Sequence, residues 1–175
     1  MKKYLLIFLM IASTILLCSC KKGANRVLSD NSNKKADTRM ETIIETFKNK
    51  DHDALKAMFS KQVLTEADDF NGDIDSLFNY IQGDIISWES TGAYTFPEER
   101  NADGAGNHKK EAESTYVFKT SEQEYQIAIY ENVIDTANPD NIGIFSLCII
   151  CKKDNPYSEF VYWGNAEAGI NIGEE

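Results

Sequence analysis

The stretch Glu111–Ile134, EAESTYVFKTSEQEYQIAIYENVI, decides the fold. Residues Glu111 to Thr120 alternate in polarity, which puts Tyr116 and Phe118 on one face of a strand. Ser121-Glu122-Gln123-Glu124 is a polar turn. Tyr125 to Ile134 then alternates again, with Tyr125, Ile127, Ile129 and Val133 on one face. Two such runs joined by so short a turn pair antiparallel. Working outward, Asp135–Asn141 (DTANPDN) reads as a loop marked by Asn138-Pro139. Gly143–Lys153 is a strand apolar on both faces, which predicts a central position. Upstream, Ile85–Phe96 reads as a further strand and Pro97–Lys110 (PEERNADGAGNHKK) as a polar loop. Near the C-terminus, Tyr157, Phe160, Tyr162 and Trp163 are expected to dock onto the core, and Ile170 and Ile172 to add a short edge strand.

Before Gly83 the period is that of helices. Thr38-Arg39-Met40-Glu41 has capping-box spacing, and Met40, Ile43, Ile44 and Phe47 follow on one helical face. Asn49-Lys50-Asp51 breaks the run, and Asp51 can cap a second short helix carrying Leu55, Met58 and Phe59. A third helix carries Ile74, Leu77, Phe78 and Ile81 and stops at Gly83. Three helices followed by a meander predict an α+β layer fold, with N-terminal helices packed on a curved antiparallel sheet. The composition is that of a globular chain: 3 Pro and 10 Gly in 175 residues exclude a collagenous or low-complexity protein.

The first residues read as an address. Met1-Lys2-Lys3 is a positive leader, and Tyr4–Leu17 is an apolar run too short for an ordinary spanning helix. It ends in Leu17-Cys18-Ser19-Cys20, which resembles the bacterial lipobox. That resemblance implies a signal peptide over residues 1–19, removed by cleavage after Ser19. It also implies diacylglyceryl transfer to the Cys20 thiol and a membrane anchor of acyl chains such as palmitate. Two acyl chains give a stable anchor, at about 0.8 kcal/mol per buried CH₂. The competing reading is an ordinary signal peptide with incidental cysteines. Residues 20–35 then read as the lipidated Cys and a flexible basic tether, and 36–175 as a single domain. The tether residues 21–35 carry five Lys/Arg against one Asp, whereas 36–175 carry 11 basic and 27 acidic residues, a net of −16. Such a body repels phosphate backbones, which excludes nucleic acid as a partner, while the tether is attracted to anionic headgroups.

With the helices and sheet in this order, the pattern resembles the cone of the nuclear-transport-factor-2-like (cystatin-like) superfamily. The segments IETFKNKDHDALKAMFS, LFNYIQGDIISWE and IDTANPDNIGIFSL resemble more closely a family of uncharacterised Gram-positive lipoproteins, the domain-of-unknown-function family DUF5104. GDIISWE and NPDN-x-G are the most specific parts. The family name carries no activity. The superfamily holds cone-pocket isomerases, dehydratases and epoxide hydrolases beside members without catalysis.

Among residues able to do chemistry, Glu131 stands out, because it shares a strand face with Tyr125, Ile127, Ile129 and Val133. A carboxylate inside an apolar cone is suited to general acid–base work. At the rim it would be hydrated or paired with a base, and a bulge would turn it outward. Trp88 and Glu89 point to opposite faces of the first strand. Trp88, Tyr116, Tyr125 and Glu131 form the candidate pocket, and Tyr116, Tyr125, Tyr130, Tyr162 and Trp163 the candidate stacking residues. Ordinary core packing and strand propensity account for the same aromatics. Cys148 and Cys151 are spaced C-x-x-C but lie on a strand, where i and i+3 face opposite ways, so two buried thiols are expected rather than a redox pair. His52 and His108 do not converge with them on a metal site. The acids at 68–75 fail the EF-hand spacing and are expected to cap the third helix. No cofactor-binding motif is found.

The expectation is therefore a lipoprotein anchored through Cys20 to the outer, extracytoplasmic face of the cell membrane. Its body would bind a small ligand or an envelope protein without chemistry. The alternative is a cone-pocket hydrolase or isomerase that uses Glu131 as its acid or base.

Overall fold

The computed structural model describes residues 21–95, 99–100, 106–155 and 167–173. The chain divides into two compact units, Met1–Lys35 and Ala36–Glu175. Four α-helices are present among the described residues: α1 Lys21–Asn49, α2 His52–Lys56, α3 Lys61–Glu66 and α4 Phe70–Tyr80. The strands are β1 Ile85–Thr95, β2 Glu99–Arg100, β3 His108–Thr120, β4 Glu124–Asp135, β5 Gly143–Cys151 and β6 Gly169–Ile172. No described helix is long and apolar enough to cross a membrane.

Within the second unit the end of α1 is built as its period demands. Met40, Ile43, Ile44 and Phe47 are all buried. Thr38 does not begin the helix, because the backbone is already helical when it arrives there. Thr42 and Thr46 turn their hydroxyls back to the carbonyls of Thr38 and Thr42, at 2.9 and 2.8 Å. Residues 21–35 are helical as well. They contain no Pro to stop a helix, and their lack of apolar period bears on what they bury, not on whether they coil. Lys50, with φ +49°, ends α1, and the Asp51 carboxylate accepts from the Ala54 N–H at 2.9 Å to start α2. Such a cap is worth about 1 kcal/mol. The sequence reading missed α3, whose only marks are the Ser60 cap on the Val63 N–H, at 3.2 Å, and two apolar residues. Asp69 caps α4 by accepting from the Gly72 N–H at 3.0 Å, as expected for that acidic run.

The sheet runs β1-β3-β4-β5-β6, with β2 paired to β3. All pairings are antiparallel except β5–β6, which is parallel and departs from the expected antiparallel meander. The polar loop after β1 is shorter than expected, since β2 forms inside it and β3 begins at His108. Tyr116, Phe118, Tyr125, Ile127, Ile129, Ile144, Leu147 and Ile149 join the helices in one core. The other face of β5 is buried as well, at Ser146, Cys148 and Ile150, in keeping with its reading as apolar on both sides. The aromatic residues expected to dock at 157–163 lie outside the described residues.

Four breaks in register bend this sheet, one of them at Thr91, between the Ser90–Tyr116 and Gly92–Thr115 pairs. Ile86 is the extra residue between the Ile85–Thr120 and Ser87–Lys119 pairs. Val133 is extra between Lys110–Ile134 and Glu111–Asn132, and Phe145 between Tyr130–Ser146 and Glu131–Ile144. Each is exposed, Ile86 to 70%. The sequence reading put Val133 on the core face, but a bulge adds one residue to the count and turns it out.

The Asn138–Asn141 residues form a 3₁₀ turn, Pro139–Asn141, between β4 and β5. Asp135 accepts from the Asn138 N–H at 2.8 Å and from the Asn141 side-chain amide at 3.1 Å. Asn138 Nδ2 donates to Gln62 Oε1 at 3.0 Å, and Lys61 pairs with Asp140 at 3.0 Å, so the turn is fastened to α3. These hydrogen bonds, with Asn141 foremost, hold the Asp135 carboxyl below its ordinary range. A depressed folded pKa contributes stability that is present above the unfolded value and lost as pH falls through the folded one. Urea titrations between about pH 6 and about pH 2 should therefore show wild type losing stability in acid, with a shallower loss in Asp135→Asn. Parallel curves for the two proteins would show that this carboxylate does not govern the acid limb.

Candidate functional site

Tyr116 is the centre of the polar group on the helix-covered face. It projects from β3 at full burial, with Trp88 of β1 set edge-on against it at a ring separation of 5.7 Å. Its hydroxyl donates to Asp37 Oδ1 of α1 at 3.4 Å. Burial pushes this phenol well above its usual range. The Ser114 hydroxyl opposes that shift, and the Asp37 and Glu131 carboxylates add to it. Tyr116 therefore stays protonated and acts as a hydrogen-bond donor.

Glu131 lies on the same face, farther along β4. Its Oε2 meets Arg39 Nη2 of α1 at 3.0 Å, with the two side chains 17% and 33% exposed. Glu131 is thus paired with a base. Glu131 Oε1 and Asp37 Oδ2 carry no hydrogen bond or ion pair among the described residues. The face thus carries a donor phenol with the Asp37 carboxylate and the Trp88 indole against it, and farther along β4 a Glu131–Arg39 pair.

The sequence reading missed Asp37 and Arg39. Counting back seven from Ile44 and four from Ile43 reaches both, so they continue the buried face of α1. Placing the helix start at Thr38 left Asp37 outside the helix.

Tyr125 shares the face but not the group. It lies six residues from Glu131 on the same strand, about 20 Å away. Its hydroxyl donates to the Tyr80 carbonyl at 3.0 Å and accepts from the Gln82 N–H at 2.9 Å, which ties the end of α4 to the sheet. Burial, the largest influence, raises its phenol. Tyr80 in turn accepts from the Cys151 N–H at 2.8 Å. Tyr130 points from the opposite face and donates to Glu113 at 3.2 Å. Glu89 is exposed while Trp88 is half-buried, as their opposite faces require.

The remaining candidates have structural partners. Cys148 and Cys151 are buried; Cys148 Sγ sits 3.4 Å from the Ser146 hydroxyl and Cys151 Sγ 3.1 Å from Gln123 Oε1. His52 faces Asp75 at 3.3 Å and packs edge-on against Phe78. Among the described residues no three His, Cys, Asp or Glu side chains gather as metal ligands. Cys20, Tyr162 and Trp163 lie outside the described residues.

Fold and site together define an α+β domain that carries a polar, aromatic-flanked group between its first helix and its sheet. The chain belongs to the family described as domain of unknown function (DUF5104), whose model matches residues 42–153. That span holds Trp88, Tyr116 and Glu131 and begins after Asp37 and Arg39. No curated protein matches the chain.

Proposed function

We propose that the protein is an extracytoplasmic lipoprotein, anchored to the cell membrane through acylated Cys20, whose cone-like body is a non-catalytic binding module. The observation that carries the binding reading is the engagement of Glu131 with Arg39 at 3.0 Å. A general acid or base must exchange a proton with its substrate at hydrogen-bond distance. A carboxylate already neutralised by a guanidinium, beside a phenol held protonated, is better suited to recognition than to proton transfer. Leu17-Cys18-Ser19-Cys20 behind an apolar run supports the anchor, and the acidic body supports a domain that stays in solution off an anionic bilayer.

Fractionation of cells expressing wild type and Cys20→Ala tests the anchor. Wild type should appear in the membrane fraction and incorporate labelled palmitate. Cys20→Ala should lose the label and either leave the membrane or retain its leader. Retained label in Cys20→Ala would exclude Cys20 as the attachment point.

A further inference from the structure

We infer that the second face of the sheet, the one turned away from the helices, is the seat of the chain's own segment 156–166 and not a docking surface for a partner. The centre of that face is apolar. Val117, Gln126 and Ile150 form one row across β3, β4 and β5, and Ala128 and Cys148 belong to the next. Val117, Ala128, Cys148 and Ile150 lie outside the core that the helices join, yet none is more than 8% exposed. A sheet face left to water carries polar residues at such positions. A single chain suffices for this burial, so the cover is part of the chain itself.

Connectivity names the cover. β5 and β6 run parallel, with Gly169 level with Ser146. Parallel neighbours cannot be joined by a tight turn. From Cys151 the chain must travel back over one face, by about 17 Å, before β6 begins. On the helix side that end is taken: Tyr80 of α4 accepts from the Cys151 N–H at 2.8 Å, and Ile170 and Ile172 of β6 pack on the core. On the second face both ends of the connection are fastened. At its start, the Asn155 side-chain amide donates to Gln126 Oε1. At its end, Asn171 lies level with Cys148 and donates to the Glu167 carbonyl and to the Ser146 hydroxyl, each at 2.9 Å.

The segment between these two fastenings has the right length and chemistry. Residues 156–166 read PYSEFVYWGNA, with Glu159 as the one charge and Tyr157, Phe160, Val161, Tyr162 and Trp163 as large apolar or aromatic members. Eleven residues reach up to about 36 Å, which is ample for the return. Aromatic side chains bury more area per residue than any others, which is what a dry, flat sheet face needs. The inference is independent of the anchor and of the binding reading. Its consequence is that a partner must be met on some other surface of the domain.

Alkylation of the purified full chain with iodoacetamide tests this, with Cys148 and Cys151 followed separately by peptide mass spectrometry. Cys148 reports on the second face, and Cys151, in the core on the helix side, reports on unfolding. In wild type Cys148 should react slowly at every protein concentration. In the double variant Phe160→Ser/Trp163→Ser it should react at least about tenfold faster while Cys151 stays slow. Fast reaction of Cys148 in wild type, or no acceleration in the folded double variant, overturns the inference. Protection of Cys148 that fades on dilution gives the face to a second copy of the chain and also overturns it. If Cys151 accelerates as well, the double variant has failed to fold, and iodide quenching of Trp88→Phe decides. Trp163 is then the sole indole, since the chain has two Trp. Its fluorescence should be shielded from iodide several-fold relative to the urea-unfolded chain, and equal quenching in the two states overturns the inference.

Discussion

Gly143→Ala is expected to leave the domain unfolded, or less stable by more than about 3 kcal/mol. Gly143 opens β5 with φ +128°, a conformation that a side chain resists. A Cβ there would stand 2.8 Å from Ser60 N, 3.0 Å from Phe59 C and 3.1 Å from Met58 O. All three are backbone atoms, so no rotamer change relieves the clash. The same backbone is pinned to β5 by Ile144 N–H to Met58 O at 2.9 Å and Ser60 N–H to Ile144 O at 3.0 Å. Moving it would break the junction that fixes α2 and α3 to the sheet. Gly169→Ala is the control: its φ is +104°, yet an added Cβ meets nothing within 4 Å. That variant should show strain alone, about 1–3 kcal/mol. Urea unfolding followed by circular dichroism separates the two, and equal losses would mean that the approach of Ser60 to Gly143 does not constrain the fold.

Phe118→Ala should cost about 3–5 kcal/mol, a large part of the 5–15 kcal/mol that holds a domain of this kind together. Phe118 is fully buried. Its ring stacks on Tyr125 at 5.0 Å and 15°, and Phe47 of α1 leans on it at 6.1 Å. Truncation removes the ring that lies between helix and sheet and leaves Tyr125 unsupported on one side. A loss under about 1 kcal/mol would contradict the packing of α1 against this part of the sheet.

Much of this architecture is legible in the residues because it rests on period. Met40, Ile43, Ile44 and Phe47 follow 3.6-residue spacing, and the runs around Tyr116 and Ile127 follow a period of two, so burial can be read from either. α3 escapes because six residues with Val63 and Leu64 as their apolar members are too few to show a period. Val133 escapes because one inserted residue reverses the faces beyond it, and nothing local announces the insertion. The parallel seat of β6 escapes because direction depends on the path of the intervening chain.

The site divides in the same way. Trp88, Tyr116 and Glu131 stand out by residue type on patterned strands. What each does depends on a partner far along the chain. Asp37 is 79 residues from Tyr116, and no spacing rule spans that distance. Glu131 reads as a candidate acid until Arg39 is seen beside it. Tyr125 reads as a wall residue until its hydroxyl is found tying down the end of α4.

The parallel pairing of β6 has a consequence for the life of the chain during synthesis. Until residues 169–172 have emerged, the outer edge of β5 from Ser146 to Ile149 lacks the strand that meets it among the described residues. That strand reads GIFSLCIIC, with no charge and no proline, the type of segment that stacks into intermolecular β-structure when left uncovered. Four residues at the far end of the protein therefore guard against self-association. A chain stopped at the end of the family span, Lys153, would keep most of the core and lose that guard.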